Sequence, residues 1–461
     1  MSEEALAGLS ELDAPRILHD GLGPIGQRVL DLSIEFESMT RGGGDLPLVF
    51  DSGRGATMTD PDGNIFIDVS AGVAVSSVGR SHPEVVRCIE QQAAQLMHAS
   101  DVSNTRRSSL AKLLSAIAPP GLGGQCLSYF CQSGSGAVET AVKFARMVTG
   151  REQIVAFHGA YHGVWHASKA LTTGERFRLG FGPTMGGVIH APYPYAYRFP
   201  LPIGDKTCEE VCGEYLDHLL NTPYTAADNV AAVIVEPVQG EGGYVAPAPE
   251  FLKMVRAACD RHGALLIADE VQAGAGRTGK MWSIEHSEVE PDMITFGKGI
   301  GGDLPMAGVI IRKDLGSQLE PQSQPQTFAG NALSAAVCAA NIEIIRRDGL
   351  AERAAEVGKE TMDRLAQSMR SIPVIGEVRG RGLMIGVELV VDRETREPLD
   401  PESVGGVAAT LMRRGIVMVP CGRYGNVLRL MPPLVITRAH MNAAIDALVD
   451  VLATVPTTGG S

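Results

Sequence analysis

Apolar and polar residues change their spacing several times along the chain, and each change predicts a different element. From Leu46 to Gly72 the two kinds alternate on either side of Asp62-Gly63, so two strands joined by a tight turn are expected there. The residues before Leu46 are mostly polar, become glycine-rich from Arg41 to Gly44, and read as an arm rather than a core. Ser81-His82-Pro83 then introduces a helix expected to reach Met97, with His82 as a turn or cap residue, and a second helix is expected over 108–117.

Beyond that point short apolar runs alternate with helical spacing. Runs at 127–132, 231–235, 264–269, 293–296 and 306–313 have the length and composition of buried strands. Helices are expected at 137–150, 208–220, 335–347 and 349–369. From Gly349 onward the chain is more charged, and strand and helix patterns alternate to a last helix starting at Thr437, which describes a compact α+β unit of about 110 residues. The tail 455–461 is expected to lie outside the fold.

Composition narrows the partners. A net charge of −13 and a pI near 5.4 argue against nucleic acid or an anionic membrane surface as a partner. With 461 residues, 44% hydrophobic and 20% charged, the chain reads as a soluble enzyme of two or three domains. Its start is acidic where a signal peptide would be basic, and no apolar run is long enough for a membrane span. Eight cysteines are scattered, and Cys208 and Cys212 lack a second pair for zinc, so reduced thiols and a cytoplasmic location are expected.

The chemistry concentrates at strand ends. One apolar run ends at Asp269 and another delivers Lys298 between Gly297 and Gly299, which let the backbone bend and leave room beside the amine. A partly desolvated amine loses its proton more easily and can form a Schiff base with a carbonyl. Pyridoxal phosphate requires such a lysine together with a carboxylate against its ring nitrogen, and Asp269 is placed to supply the latter. The same stretch carries Gly274, Gly276 and Gly279 in dinucleotide-fingerprint spacing, which would suit a nicotinamide-dependent oxidoreductase. That fingerprint needs its first glycine at the strand end and a long helix opening on the third, and neither condition is met.

Other residues fit a phosphate-bearing ring. Ser133-Gly134-Ser135-Gly136 joins a strand to a helix, a place where free backbone N–H groups favour an anion or where a plain structural turn is made. His158, His162 and His166 are four apart, but Gly159 and Gly163 interrupt any continuous helix, which argues against a metal site. Tyr161 among them is either a core tyrosine or an aromatic that lies against a planar ring. The tyrosine-rich run from 190 onward reads as a surface excursion and a candidate wall of the site. Glu236 ends an apolar strand as a cap or as the partner of a cation, and Arg429 leaves an alternating strand in the manner of a carboxylate clamp.

Taken in order, these segments resemble the class III aminotransferases among the fold-type I pyridoxal-phosphate enzymes, over roughly residues 46 to 455. The motifs are Ser133 to Arg146, Phe157 to Gly163, Glu236 to Gly243, Ala268 to Gly279, Glu290 to Pro305 with Lys298, Gln326 to Asn331 and Val427 to Pro433. The resemblance implies an α/β fold: a large cofactor-binding domain (76–335) with a mainly parallel sheet flanked by helices, and a smaller α+β domain (336–461). Residues 1–75 would form an arm and hairpin packed with the smaller domain. It also implies Lys298 as the Schiff-base lysine, Asp269 at the pyridine nitrogen, Gln272 near the ring hydroxyl, Gly134 and Ser135 on the phosphate and Tyr161 over the ring. Thr327 would reach the phosphate of the neighbouring subunit in a homodimer with shared sites, and Glu236 and Arg429 would form a switchable pair for the substrate.

Departures from the family pattern bear on the substrate. Val164 stands where enzymes acting on 4-aminobutyrate usually have an arginine for the distal carboxylate, and Val73 where ornithine aminotransferases usually have a tyrosine. Gly136 and Ala332 replace a usual glutamate and proline near the phosphate. The expected reaction is ping-pong transfer between an amine, of ω-amine or amino-sugar type, and an α-amino acid/2-oxo acid partner. A racemase or epimerase would use the same residues.

Overall fold

In the computed structural model, which describes residues 1–38 and 48–456, the apolar runs pair into three sheets. The glycine-rich stretch 41–44 and the tail beyond Pro456 lie outside the described residues. The first sheet joins β1 (Ser52–Arg54), β2 (Thr57–Thr59) and β3 (Ile65–Asp68), the hairpin expected around Asp62-Gly63.

The largest sheet contains β4 (Cys126–Cys131), β5 (Gln153–Phe157), β6 (Val188–Ala191), β7 (Val230–Val235), β8 (Leu265–Asp269), β9 (Met293–Phe296) and β10 (Ala307–Arg312). Their order across the sheet is β4-β10-β9-β8-β7-β5-β6. Strands β6, β5, β7, β8 and β9 pair in parallel, and β10 is antiparallel to both of its neighbours, so the sheet is mainly parallel as expected. Both faces are covered, which is why β7 is buried along its whole length and reads as an unbroken apolar run rather than an alternating one. On one face, helix Gly134–Thr149 presses Val138, Ala141, Val142 and Ala145 against Ile234 and Ile267. On the other, Cys208–Asn221 and Pro249–His262 contribute Leu216, Phe251 and Val255 to the main core.

The remaining strands are β11 (Ile375–Arg381), β12 (Met384–Asp392), β13 (Glu397–Pro398), β14 (Ile416–Val417), β15 (Val419–Cys421) and β16 (Val427–Leu430). Strands β11, β12, β16 and β15 form an antiparallel sheet with β13 on β12. Strand β14 instead pairs in parallel with β3, Ile416 opposite Ile67, and so ties the hairpin to the C-terminal region.

Helix boundaries moved where a capping side chain decided them. The first predicted helix spans Pro83–Ala93, stopping short of Met97, with His82 Nδ1 accepting the Glu84 N–H at 3.3 Å. The second starts at Thr105 rather than 108 because Asn104 caps it, accepting from the Arg107 N–H at 2.9 Å. The polar turn before the third is its first turn, since the helix begins at Gly134. Among the described residues no helix is long and apolar enough to cross a membrane.

Candidate active site

The carboxyl ends of the parallel strands meet on one edge of the sheet, the usual place for a ligand in an open α/β fold. Strand β8 ends in Asp269, β7 leads into Glu236, β9 leads through Gly297 to Lys298, and β5 leads to Tyr161 and His162. Lys298 adopts a left-handed backbone conformation (φ +41°), unusual for a residue with a side chain and costly unless its surroundings enforce it. They do: Asn341 donates from Nδ2 to the Gly299 carbonyl, and the Gly301 N–H closes on the Lys298 carbonyl at 2.8 Å. A Cβ on Gly299 would lie 2.5 Å from Ser77 Oγ, so glycine is required beside the lysine. Burial lowers the Lys298 pKa, against the opposing pull of Glu241.

Asp269 is 4% exposed and anchored through both oxygens, while still lining the cavity. Its Oδ1 accepts from Thr295 Oγ1 at 2.9 Å and from the Val271 N–H at 3.1 Å, while Oδ2 lies 2.6 Å from His162 Nδ1. Burial of His162 works against its charge, but the hydrogen bond and charge of Asp269 prevail and raise its pKa. The three spaced histidines are not gathered into one cluster: His158 stacks on His190, His166 opens a short helix, and no group of three or more His, Cys, Asp or Glu side chains suited to a metal is found among the described residues. Sequence reasoning missed the partnership of His162. The available signal was its position just past the end of β5, next to Tyr161.

The start of helix Gly134–Thr149 is shaped as a cradle. Ser133 Oγ accepts the Gly136 N–H at 3.1 Å, and the other first-turn N–H groups have no partner within the helix. A Cβ on Gly134 would meet Val271 Cγ1 at 2.7 Å, and one on Gly163 (φ +124°) would meet Ser135 Oγ at 2.3 Å. The cradle opens into a cavity of about 160 Å³ whose lining includes Gly134, Ser135, Tyr161, Glu236, Asp269, Gln272 and Lys298. Seven predicted site residues thus share one cavity.

Four others do not line it. Thr327 sits on an exposed turn, Val164 is 40% exposed, Val73 packs against a small apolar cluster that includes Tyr244 and Val238, and Arg429 is paired with Glu241. The tyrosine-rich run is also displaced from the role expected of it. Tyr193 donates to the Glu236 carbonyl at 3.0 Å, and Tyr195 and Arg198 both bond Glu388 of β12, so this run fastens the C-terminal sheet instead of walling the cavity.

The expected pairing of Glu236 with Arg429 is incorrect. Arg429 Nη1 lies 2.5 Å from Glu241 Oε1, five residues further along the same segment. Glu236 follows β7 directly, and its carboxylate turns inward to accept the N–H groups of Tyr161 and Gly240, each at 2.9 Å. The chain then turns, with the Gly243 N–H on the Gly240 carbonyl at 3.0 Å, and this turn carries Glu241 across to β16. The two acids diverge electrostatically: burial pushes Glu236 up to about 7, whereas for Glu241 burial is outweighed by Arg429, Lys298 and Arg176 together, which lower the pKa.

A polar cavity with an anion cradle, a conformationally enforced lysine and a pinned carboxylate has room for one small cofactor. Gln272 Oε1 and His162 Nε2 are buried there without protein partners. The family profile described as aminotransferase class-III matches residues 38–452. This chain belongs to the class III aminotransferases. A diaminobutyrate–2-oxoglutarate aminotransferase of Rhizobium meliloti is 38% identical over 412 residues, covering 87% of each chain. An isoleucine 2-epimerase of Lentilactobacillus buchneri is 36% identical over 410 residues, 87% of this chain and 89% of that one. Among solved structures, an (S)-enantioselective omega-transaminase from Thermomicrobium roseum superposes with a TM-score of 0.86 at 29% identity, over 93% of this chain and 98% of the other.

This aminotransferase is therefore pyridoxal-phosphate-dependent, and its cavity fits that group. The cradle at Gly134 and Ser135 suits a phosphate, the free Gln272 Oε1 suits a ring substituent, and Lys298 and Asp269 have the chemistry for the aldehyde and the ring nitrogen. A dinucleotide does not fit: Gly274 is separated from the end of β8, its N–H bonds the Glu270 carbonyl at 3.0 Å, and Gly279 opens no long helix.

Proposed function

We propose that this aminotransferase transfers an amino group between an amine without a distal carboxylate, of ω-amine or amino-sugar type, and a 2-oxo acid, in two half-reactions at one site. The observation that carries this reading is the Arg429–Glu241 pair. A buried guanidinium already matched to a carboxylate is a clamp that a substrate carboxylate can take over, and that an uncharged substrate can leave closed.

Pyridoxal phosphate, when bound, supplies an electron sink that makes the hydrogen on the amine-bearing carbon acidic. Lys298, its pKa lowered by burial, is the group that takes this proton and returns it. Gly134 and Ser135 would hold the phosphate, Gln272 the ring hydroxyl, Asp269 the ring nitrogen and Tyr161 one ring face. Glu236 keeps Tyr161 in place through its N–H. Arg429 binds and orients the α-carboxylate of the amino-acid or oxo-acid partner. We also propose the division 1–75, 76–335 and 336–461, a homodimer in which exposed Thr327 serves the neighbouring site, and a cytoplasmic location in keeping with eight scattered cysteines.

The experiment is a half-reaction screen. Amines lacking a carboxylate should bleach the visible band of the bound cofactor, and a 2-oxo acid should restore it. Bleaching by 4-aminobutyrate as fast as by the best carboxylate-free amine would overturn the substrate class. Racemisation or epimerisation is a second reading, supported by the 36% identity to an isoleucine 2-epimerase. It predicts exchange of the substrate's carbon-bound hydrogen with deuterated solvent, with no need for an oxo acid.

A further inference from the structure

Glu241 is held by two arginines, one on each oxygen: Arg429 Nη1 at 2.5 Å from Oε1 and Arg176 Nη2 at 2.9 Å from Oε2. The two are built differently. The Arg429 side chain is 7% exposed, rooted in β16, and its Nε is buried without a partner. The Arg176 side chain is 64% exposed and comes from the single turn Glu175–Phe177. Its guanidinium lies 4.5 Å from the ring centre of Phe177, which in turn meets Tyr161 edge-on at 4.7 Å. A ledge of aromatic contacts therefore starts at the cavity wall and ends in a second cation on the same carboxylate.

A substrate carboxylate that takes Arg429 must first displace Glu241, whose side chain is only 13% exposed. A buried carboxylate that loses its last partner bears its whole desolvation cost, whereas one that keeps a partner does not. In the closed arrangement each oxygen of Glu241 faces a different guanidinium. Once Arg429 is taken, both oxygens become free to meet the planar fork of Arg176, a stronger two-bond geometry than the single bond it replaces. Charge points the same way: two guanidinium groups share one carboxylate, and an incoming carboxylate balances the second.

We propose that Arg176 is a positioning residue that receives Glu241 when a carboxylate-bearing substrate occupies Arg429, and so sets how well this site admits 2-oxo acids relative to amines. The inference rests on the proposed role of Arg429. An amine without a carboxylate leaves the three-part contact closed, so Arg176 acts in only one of the two half-reactions. Because its side chain lies largely in solvent, replacing it removes the receiving cation without opening the core.

The test uses the cofactor-loaded enzyme and the variants Arg176→Ala and Arg176→Lys. Pyruvate is titrated calorimetrically into the enzyme as purified, without any amine, so that binding is read in the absence of transfer. KM for the oxo acid and for the amine are measured separately. Arg176→Ala is expected to weaken pyruvate binding and raise the oxo-acid KM about tenfold, one charge-assisted contact, while the amine KM moves by less than twofold. Arg176→Lys is expected to recover most of the loss through its charge. If Arg176 merely reinforces the closed pair, its removal tightens pyruvate binding instead, and that sign overturns the proposal. Unchanged pyruvate binding, or equal losses for oxo acid and amine, overturns it as well. Pyruvate binding that follows the expected order in an enzyme without transfer activity would refute the proposed reaction and uphold the role of Arg176.

Discussion

Glu236 and Glu241 stand in one short motif, and the backbone between them gives each a different neighbourhood. Glu236, buried against two backbone N–H groups, holds its proton up to about pH 7 in the folded chain, compared with 4.5 when unperturbed. The folded state thus binds more protons than the unfolded one in that window, and the contribution of Glu236 to stability, present at low pH, is lost as pH rises from about 4.5 to 7. In the cofactor-free protein, Glu236→Gln should flatten the decline by on the order of 3 kcal/mol, read from urea unfolding at a series of pH values. Parallel curves for the two proteins would refute it. Lys298→Ala should reduce turnover by at least about a hundredfold, the lower end for loss of a positioned proton carrier. Retention of full turnover with any amine would remove Lys298 from the mechanism.

At this scale the sequence disclosed chemistry better than partnership. Lys298 and Asp269 were legible because each follows an apolar run and stands where such runs end. The identity of Arg429's partner was not, since a choice between two acids five positions apart depends on the 240–243 turn. The bond between His162 and Asp269 joins neighbours of β5 and β8, strands that touch only through β7, and no local pattern carries that adjacency.

At the scale of elements, most strands and helices were readable from period and length, though β6 and the helix Pro24–Phe36 were not, and element ends were set by single capping side chains such as Asn104 and Ser133. The cradle is the element that holds the site to account. Gly163 has a φ of +124°, and any Cβ there would press on Ser135 Oγ. Gly163→Ala should therefore weaken cofactor retention by about tenfold or more while leaving far-ultraviolet circular dichroism unchanged, measured by equilibrium dialysis against pyridoxal phosphate. Gly405→Ala is the comparison: it lies in helix Pro401–Arg413 with nothing within 4 Å of the new methyl, and should retain the cofactor as well as the parent.

Across the whole molecule, the tyrosine-rich run proved to be a fastening. Glu388, wholly buried in β12, receives Tyr195, Arg198 and Arg379, and Arg379 also donates to the Gly243 carbonyl at 2.8 Å. Arg379 and Arg429 lie in one row of the C-terminal sheet, on either side of Gly386, and both grip the turn that bears Glu241. Glu388→Ala takes the carboxylate from Arg198 and leaves Arg379 with Glu377, both side chains largely buried, and should cost about 3–5 kcal/mol in denaturant unfolding. A loss below about 1 kcal/mol would show that the cluster does not hold the sheet. None of this was visible in the sequence, where tyrosines and prolines near a proposed cavity suggest a wall before they suggest a clasp.

The parallel pairing of β3 with β14 also has a temporal side. Ile67 leaves the ribosome long before Ile416, its partner in that ladder. At about 5–20 residues per second the hairpin waits roughly 20–70 s for the strand that completes its sheet. During synthesis β3 therefore presents an unpaired edge to the crowded cell, and a slower ribosome lengthens that interval. Yield in expression should accordingly depend on translation speed and on chaperones that shield nascent strands, even for variants whose finished fold is as stable as the parent's.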